Sequence, residues 1–239
     1  MSSNTWTPHA VASEARQAAL RVWRAVEAQH VVSTMRLVNN RLRAQAVLEE
    51  VLEESKPPMR AETAGLDYLL STPFRYPSPY GSRFRGAGEL GVFYGAERVG
   101  TACAELGYWR WRFVMESEGL RSIGLGPTAH TVFQAGVRGP AIDLREAPFV
   151  RSRRRWTDRT DYTHTQAFAR SARAAHIRIL RYQSVRDPEQ GGCAAVLHPD
   201  AFQPKKRLAQ QTWHLTVTPA AVIWQRDGEA REFDVQIWR

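Results

Sequence analysis

The sequence predicts an α+β fold in which most strands pair antiparallel. Near the end of the chain, apolar and polar side chains alternate over residues 212–217 and 233–237, around an Asp227-Gly228 turn. This pattern is typical of β-hairpins. Other short apolar segments follow one another with few helical segments between them, which favours antiparallel pairing. With 239 residues, 43% of them hydrophobic, the chain is long enough to bury one large core.

The first part of the chain is predicted to be helical. Apolar residues recur every three or four positions from about Glu14 to Ser55, with an interruption at Asn39-Asn40. In the second half, glutamates lie opposite an apolar face, and Lys56-Pro57-Pro58 ends the helix. We therefore predict an N-terminal helical pair in residues 1–58 and a main domain in residues 59–239. The pair is expected to cover the sheet, or else to bind a partner or a second copy of the chain.

The next segment is predicted to be irregular. Prolines and glycines recur through residues 66–88, and they prevent a continuous helix or a central strand. A short aromatic strand is predicted at 91–96 and a helix at 97–115. Together they form a strand-to-helix junction.

Short strands and one helix are predicted for the middle of the chain. Their approximate positions are strands at 131–137, 141–144, 177–182 and 193–197, and a helix at 162–175.

The chain is basic, and its basicity comes from arginine. It has 33 Lys and Arg residues, of which 3 are Lys, against 24 Asp and Glu, for a formal net charge of +9. Guanidinium groups bind phosphate oxygens in pairs, so the composition favours a phosphate-bearing ligand, although a coding preference for Arg over Lys gives the same composition. A run of arginines at 151–155 suggests nucleic-acid binding as an alternative.

Several classes of protein are excluded. No apolar run approaches the roughly 20 residues of a membrane span, and the N-terminus lacks the pattern of a signal peptide, so a cytoplasmic protein is expected. Cys103 and Cys193 lie far apart, which argues against a disulfide framework and a structural zinc site. The motifs of dinucleotide-binding folds, P-loops, zinc proteases and α/β-hydrolases are absent.

Polar residues at the ends of apolar elements are the candidate functional groups. Small residues precede Glu105 in its helix, which allows a ligand or another element to come close. A serine and two arginines at the end of a strand suit contact with an anion. The candidates, in chain order, are Arg83, Arg85, Tyr94, Glu105, Arg181, Ser184 and Arg186.

Two segments that carry these residues resemble a known family. Residues Gly81 to Arg110 and Arg181 to Pro199 resemble the RES domain, the toxin half of bacterial RES–Xre toxin–antitoxin pairs. The resemblance extends from about residue 61 to residue 199. The family pattern falls on Arg83, Gly88, Tyr94, Glu105 and Ser184.

The resemblance implies an ADP-ribosyltransferase-like fold with a split antiparallel sheet and an NAD-binding cleft. RES toxins cleave the nicotinamide–ribose bond of NAD by phosphorolysis or hydrolysis and so deplete cellular NAD. NAD is then a substrate, phosphate is a potential co-substrate, and no cofactor or metal is expected. The resemblance also implies a cognate Xre-type antitoxin, with nucleic acid contacted only through the antitoxin complex.

The resemblance also suggests roles for individual residues. Arg83 is expected to bind the NAD diphosphate or ribose, Tyr94 to stack on nicotinamide, and Ser184 to orient the substrate. Glu105 is expected to stabilise the positive charge that develops on the ribose as nicotinamide leaves. Other residues expected to bind NAD are Arg75, Tyr76, Arg85 and Arg186, and whether Arg75 or Arg85 shares the role of Arg83 stays open.

Other functions also fit the sequence. Transfer of ADP-ribose to a protein side chain needs the same residues and changes only the acceptor. A non-enzymatic nucleic-acid-binding module would use the arginine run and the net charge. A protein that only binds partners would tolerate substitution of Glu105 and Ser184. The sequence leaves open the acceptor, the oligomeric state and the identity of the antitoxin.

Overall fold

The structure is a computed structural model and describes residues 6–28, 38 and 41–239. Within these residues, one eight-stranded sheet is surrounded by six α-helices and several 3-10 turns. The strands are β1 Arg16–Glu27, β2 Phe93–Ala96, β3 Leu125–Asp143, β4 Ile179–Gln183, β5 Gly192–Val196, β6 Ala209–Val217, β7 Ala221–Arg226 and β8 Glu229–Asp234. The helices are α1 Pro8–Ser13, α2 Leu42–Glu54, α3 Tyr68–Arg75, α4 Val99–Glu116, α5 Arg153–Trp156 and α6 Thr163–Ala174.

The sheet is mostly antiparallel. Its strand order is β1-β2-β5-β4-β3-β6-β7-β8, and β1 also pairs with β3. The extra pairing closes the first five strands into a ring, and β6, β7 and β8 continue the sheet beyond it. Only β3 and β4 pair in parallel among the described strands. The predicted α+β class with largely antiparallel pairing is confirmed.

Strand β1 shows that the prediction for the N-terminus is wrong in its first half. Residues Arg16–Glu27 form a strand that pairs with β3 along its whole length. Leu20 and Val22 pack into one core cluster, whereas Trp23 and Ala25 pack into another. Two apolar sides of a strand produce spacings that also match a helix, and the backbone hydrogen bonds to β3 decide between the two structures.

The second half of that prediction is confirmed, because Leu42–Glu54 forms α2. The predicted apolar positions at Val31, Val32 and Met35 and the interruption at Asn39-Asn40 lie outside the described residues. The boundary between residues 58 and 59 stays a prediction. Strand β1 nevertheless belongs to the same sheet as the later strands.

Helix α3 is a second correction, because its segment was predicted to be irregular. Asp67 caps the helix by accepting a hydrogen bond from the Leu69 amide at 3.0 Å. Pro73 lies in the last turn of this eight-residue helix. A proline so late in a helix prevents only its own amide hydrogen bond, so the first turns still form.

The other predicted elements are found with small shifts. The strand-to-helix junction is formed by β2 and α4, and α6, β4 and β5 lie within a few residues of their predicted positions. The strands predicted at 131–137 and 141–144 are parts of the single strand β3. Residues Val235–Trp238 form a 3-10 turn rather than the end of a strand.

Helix α4 is placed so that its first turns reach the ring of strands. It packs against β1, β2, β6 and β7. Ala102, Cys103 and Ala104 are buried at this contact, and their small volume allows the helix to approach the sheet closely. No helix in the described part of the chain is long and apolar enough to cross a membrane.

Candidate active site

A cavity of about 240 Å³ opens beside β1, β2 and the first turns of α4. Aromatic side chains form much of its wall, and arginines form most of its polar lining. The aromatic lining residues are Trp23, Tyr94, Trp109, Tyr162 and Tyr182, and the polar ones include Arg24, Ser82, Arg83, Glu105 and Arg186.

The cavity brings together residues that are far apart in the chain. Of the candidate site residues, Arg83, Tyr94, Glu105 and Arg186 line it. Ser184 lies directly behind Glu105, in hydrogen-bond contact with its carboxylate. The irregular segment before β2, the strand, the following helix and the loop after β4 therefore converge on one site.

Glu105 lies in the second turn of α4, one position beyond the small residues that contact the sheet. Its Oε1 accepts a hydrogen bond from Ser184 Oγ at 2.5 Å, and the Cys193 Sγ lies 4.0 Å from the same oxygen. No hydrogen bond to Oε2 is found among the described residues. Burial raises the pKa of Glu105, although the Ser184 hydrogen bond and the charges of Arg83 and Arg186 oppose this increase.

The hydroxyl of Ser184 is fully used within the protein. Its Oγ donates to Glu105 and accepts from the Arg186 amide at 3.2 Å and the Asp187 amide at 3.0 Å. A hydroxyl offers one donor and two acceptor positions, and the residue is completely buried. The geometry therefore leaves no position for the expected contact between Ser184 and substrate, and it makes Ser184 a positioning residue for Glu105.

Arg83 is held by a main-chain carbonyl and an aromatic ring. Its Nη1 donates to the Trp156 carbonyl at 2.9 Å, and its Cζ lies 4.7 Å from the centre of the Tyr162 ring. No carboxylate pairs with it among the described residues. The positive charge of Arg83 is thus available to a ligand in the cavity.

Arg186 is also held by a main-chain carbonyl and an aromatic ring. Its Nη2 donates to the Arg159 carbonyl at 2.6 Å, and its Cζ lies 3.6 Å from the centre of the Tyr108 ring. The carbonyls that hold Arg83 and Arg186 come from α5 and the residues after it, next to the arginine run at 151–155. The backbone of this segment thus forms part of the support for the cavity.

Arg24 on β1 is a third cavity arginine, and sequence reasoning missed it. Its Nη1 donates to the Tyr94 carbonyl at 2.9 Å, and its Cζ lies 4.8 Å from the centre of the Phe93 ring. Its buried Nε has no partner among the described residues. Burial lowers the pKa of Arg24 to about 10, against the opposing effects of Tyr94 and Tyr182. The residue was missed because β1 was predicted to be a helix.

Tyr94 uses its hydroxyl to hold the neighbouring chain. The oxygen accepts from the Phe84 amide at 3.0 Å and shares a hydrogen bond of 2.8 Å with Ser82 Oγ. Burial raises the pKa of this phenol, so it stays neutral. Its half-buried side chain lines the cavity.

Three of the residues expected to bind NAD are not among the cavity-lining residues. Arg75 pairs with Glu53 at 3.1 Å and donates to the Pro57 carbonyl, and Tyr76 lies beside it. Arg85 donates to the Tyr80 carbonyl at 3.0 Å. Sequence proximity to the motif did not separate these residues from Arg83, because only the fold decides which way each arginine turns.

The aromatic wall was also missed, apart from Tyr94. Trp109 follows Glu105 by four positions on α4, so it lies on the same face of the helix, and this spacing was a usable signal. Tyr162 and Tyr182 gave no comparable signal. No group of three or more acidic, histidine or cysteine side chains that would hold a metal ion is found in the described residues.

Two comparisons with known proteins show what the chain is similar to. The fold is similar to that of a chain in the crystal structure of the M. tuberculosis MbcT-MbcA toxin-antitoxin complex, with a TM-score of 0.51 and 13% identity over 89% of this chain and 92% of that chain. No curated protein sequence matches the chain. The RES domain family model matches residues 57–218. Because this match covers more than half of the chain, the chain belongs to the RES domain family.

Proposed function

We propose that this protein is the toxin of a toxin–antitoxin pair and that it cleaves the nicotinamide–ribose bond of NAD. One observation carries the proposal: among the described residues, the cavity is lined by one carboxylate, Glu105, and by three arginines that form no ion pair with a carboxylate, within an aromatic wall. Such a cavity suits a ligand that has several negative charges near a centre where positive charge develops. NAD, with its diphosphate and its nicotinamide ribose, is a ligand of this kind.

The arginines would hold the diphosphate. Arg24, Arg83 and Arg186 are each fixed by a main-chain carbonyl and a ring, so their free N–H groups are already oriented before a ligand binds. Guanidinium groups make charge-assisted hydrogen bonds to phosphate oxygens. Preorganisation of this kind reduces the entropy that binding costs.

Glu105 would stabilise the transition state. When the bond between the ribose C1′ and the nicotinamide nitrogen breaks, its electron pair leaves with the nicotinamide, which is then neutral and needs no general acid. Positive charge develops on the ribose, and a fixed carboxylate stabilises it there more than in the ground state. An oxygen of phosphate or water then bonds to C1′, and water loses a proton to solvent.

The other site residues would fix the geometry. Tyr94 lines the cavity and offers its ring to the nicotinamide. Ser184 donates a hydrogen bond to Glu105 and so holds its carboxylate in place. It also accepts hydrogen bonds from two main-chain amides, which fix the start of the loop that carries Arg186. Arg83, Tyr94 and Glu105 thus act by direct contact in one reaction, and Ser184 acts through Glu105.

We further propose an antitoxin partner of Xre type that covers the cavity. A protein that destroys NAD must be restrained in the cell that makes it. The solved structure with a similar fold contains a toxin together with its antitoxin. The antitoxin, rather than this chain, would contact nucleic acid.

The test is release of nicotinamide from NAD by the purified protein, with and without inorganic phosphate. Phosphorolysis yields a phosphorylated ADP-ribose and depends on phosphate, whereas hydrolysis yields free ADP-ribose. Absence of nicotinamide release under both conditions would overturn the proposal. Release that requires an added protein, with a gain of one ADP-ribose in its mass, would instead show transfer to a protein target.

A further inference from the structure

Helix α2 exposes an apolar ridge to solvent. Among the described residues of the helix, only Gln45 is buried. Val47 is 59% exposed and Val51 is 54% exposed, one turn apart on the same side of the helix. No described residue covers these two side chains, and their exposure to water is unfavourable.

The charges of α2 run against the dipole of the helix. Its N-terminal end carries Arg41 and Arg43, and its C-terminal end carries Glu50, Glu53 and Glu54. A helix is stabilised by acidic residues at its N-terminus and by basic residues at its C-terminus, so each end carries the unfavourable sign. A partner of opposite polarity would offset both ends.

The ridge and two of these charges form one stripe. Positions 43, 47, 51 and 54 follow one another at intervals of three or four residues, which places them on one face of a helix. Arg43 and Glu54 have no ion pair among the described residues. The stripe thus reads, from one end to the other, as positive, apolar, apolar and negative.

We propose that α2 packs antiparallel against α2 of a second copy of this chain. A twofold axis between the helices would place Val47 of each copy against Val51 of the other, and Arg43 of each against Glu54 of the other. The stripe is complementary to itself only in this orientation, because a parallel pair would bring like charges together. The two helix dipoles also oppose each other in the antiparallel pair.

The pairing leaves the cavity accessible. No residue of α2 lines it, and the C-terminal end of the helix is tied to α3 through the pair between Glu53 and Arg75. A contact of one helix on each side is smaller than the standard interface of about 1,600 Å². We therefore expect a dimer that forms at micromolar protein concentrations and dissociates on dilution.

Analytical ultracentrifugation of the full-length protein tests the proposal. Wild type should shift from monomer to dimer with increasing concentration. The double variant Val47→Ser and Val51→Ser should stay monomeric, and Ile123→Ser, which changes an even more exposed apolar residue outside α2, should dimerise as wild type does. A monomeric wild type, or an unchanged double variant, would overturn the proposal.

Charge reversal tests the orientation. Arg43→Glu and Glu54→Arg should each weaken association about tenfold, because like charges then meet at two symmetric positions. An equimolar mixture of the two variants should dimerise like wild type, since every contact in the mixed pair joins opposite charges. Arg43→Glu also improves the helix dipole, so its loss of association cannot come from unfolding of α2. A mixture no better than the single variants would overturn the antiparallel pairing.

Discussion

Two arginine clusters differ in which groups hold their guanidinium side chains. In the first, which we call the carboxylate network, Arg145 and Arg181 pair with Asp143 and Glu97. In the second, which we call the cavity arginines, Arg24, Arg83 and Arg186 are held by main-chain carbonyls and aromatic rings. The network has two positive and two negative groups, so its charges balance.

The cavity arginines keep their charge for a ligand. A carbonyl oxygen and a ring face each orient a guanidinium without cancelling its charge, whereas a carboxylate cancels it. Composition does not distinguish the two clusters, because both draw on the same excess of arginine. The partner of each arginine separates a structural role from a binding role.

The largest effect is expected for Glu105→Gln. The amide keeps the shape of the side chain and can still accept from Ser184, but it cannot stabilise a cation, so nicotinamide release should fall about 100-fold or more. The same variant should raise the free energy of unfolding at neutral pH by about 1 kcal/mol, since it removes a buried charge whose pKa the fold raises. Enzyme assay and chemical denaturation measure the two effects.

The control for this variant is Glu116→Gln on the same helix, whose exposed carboxylate pairs with Arg112. Glu116→Gln should change neither nicotinamide release nor the free energy of unfolding appreciably. Unchanged turnover in Glu105→Gln would contradict the assigned role. Lower rather than higher stability would contradict the view that ionised Glu105 is held at a cost to the fold.

Arg24→Gln should raise the KM for NAD about 30-fold or more, because it removes a charged donor from the cavity wall. Arg21→Gln, which changes an exposed arginine on the same strand, is the matched control and should behave as wild type. Steady-state kinetics checks both variants. An unchanged KM in Arg24→Gln would show that Arg24 has a structural role rather than a role in ligand binding.

Asp143→Asn in the carboxylate network should reduce the free energy of unfolding by about 2 kcal/mol and leave the KM for NAD unchanged. Burial alone would raise the pKa of Asp143, but the hydrogen bonds from Arg145 and the charges of Arg145 and Arg181 outweigh it and lower that pKa. The stability it contributes is therefore present above its unfolded-state pKa and is lost as pH falls through the lowered pKa. Chemical denaturation at several pH values checks this.

The exposed pair between Arg226 and Asp227 provides the control for the network. Asp227→Asn should have little effect on stability, because the Asp227 side chain is 84% exposed. A large rise in KM in Asp143→Asn would show that the network contributes to ligand binding after all, and the comparison between the clusters would fail.

Ser184→Ala should lower turnover at neutral pH about tenfold and change its pH dependence. The Ser184 hydrogen bond lowers the pKa of Glu105, so its loss should raise that pKa further and move the acidic limb of the pH–rate profile to higher pH. Activity should recover in part as pH rises. A uniform loss with an unshifted profile would indicate only structural damage, and Ser117→Ala, at the residue that follows α4, serves as the control.

Much of the site could be predicted because its residues lie in short local motifs. Tyr94 and Glu105 are joined by a strand, a turn and the first turns of a helix, and local geometry nearly determines how they sit relative to each other. Ser184 was placed by the same kind of motif at the end of β4. The orientation of the Ser184 side chain could not be predicted in this way, because no local pattern shows that its hydroxyl turns toward α4 rather than toward the cavity.

The sequence by itself determined the fold class and the strand-to-helix junction, because these depend on periodicity and on contacts between near neighbours, and its resemblance to the RES domain indicated the motif residues. Only the tertiary structure decided that residues 16–27 are a strand, that Arg24 reaches the cavity, and that Arg75 and Arg85 do not. Both strand and helix satisfy the apolar spacing of that segment. The choice follows from hydrogen bonds to β3, a partner so distant in sequence that no local pattern reports it.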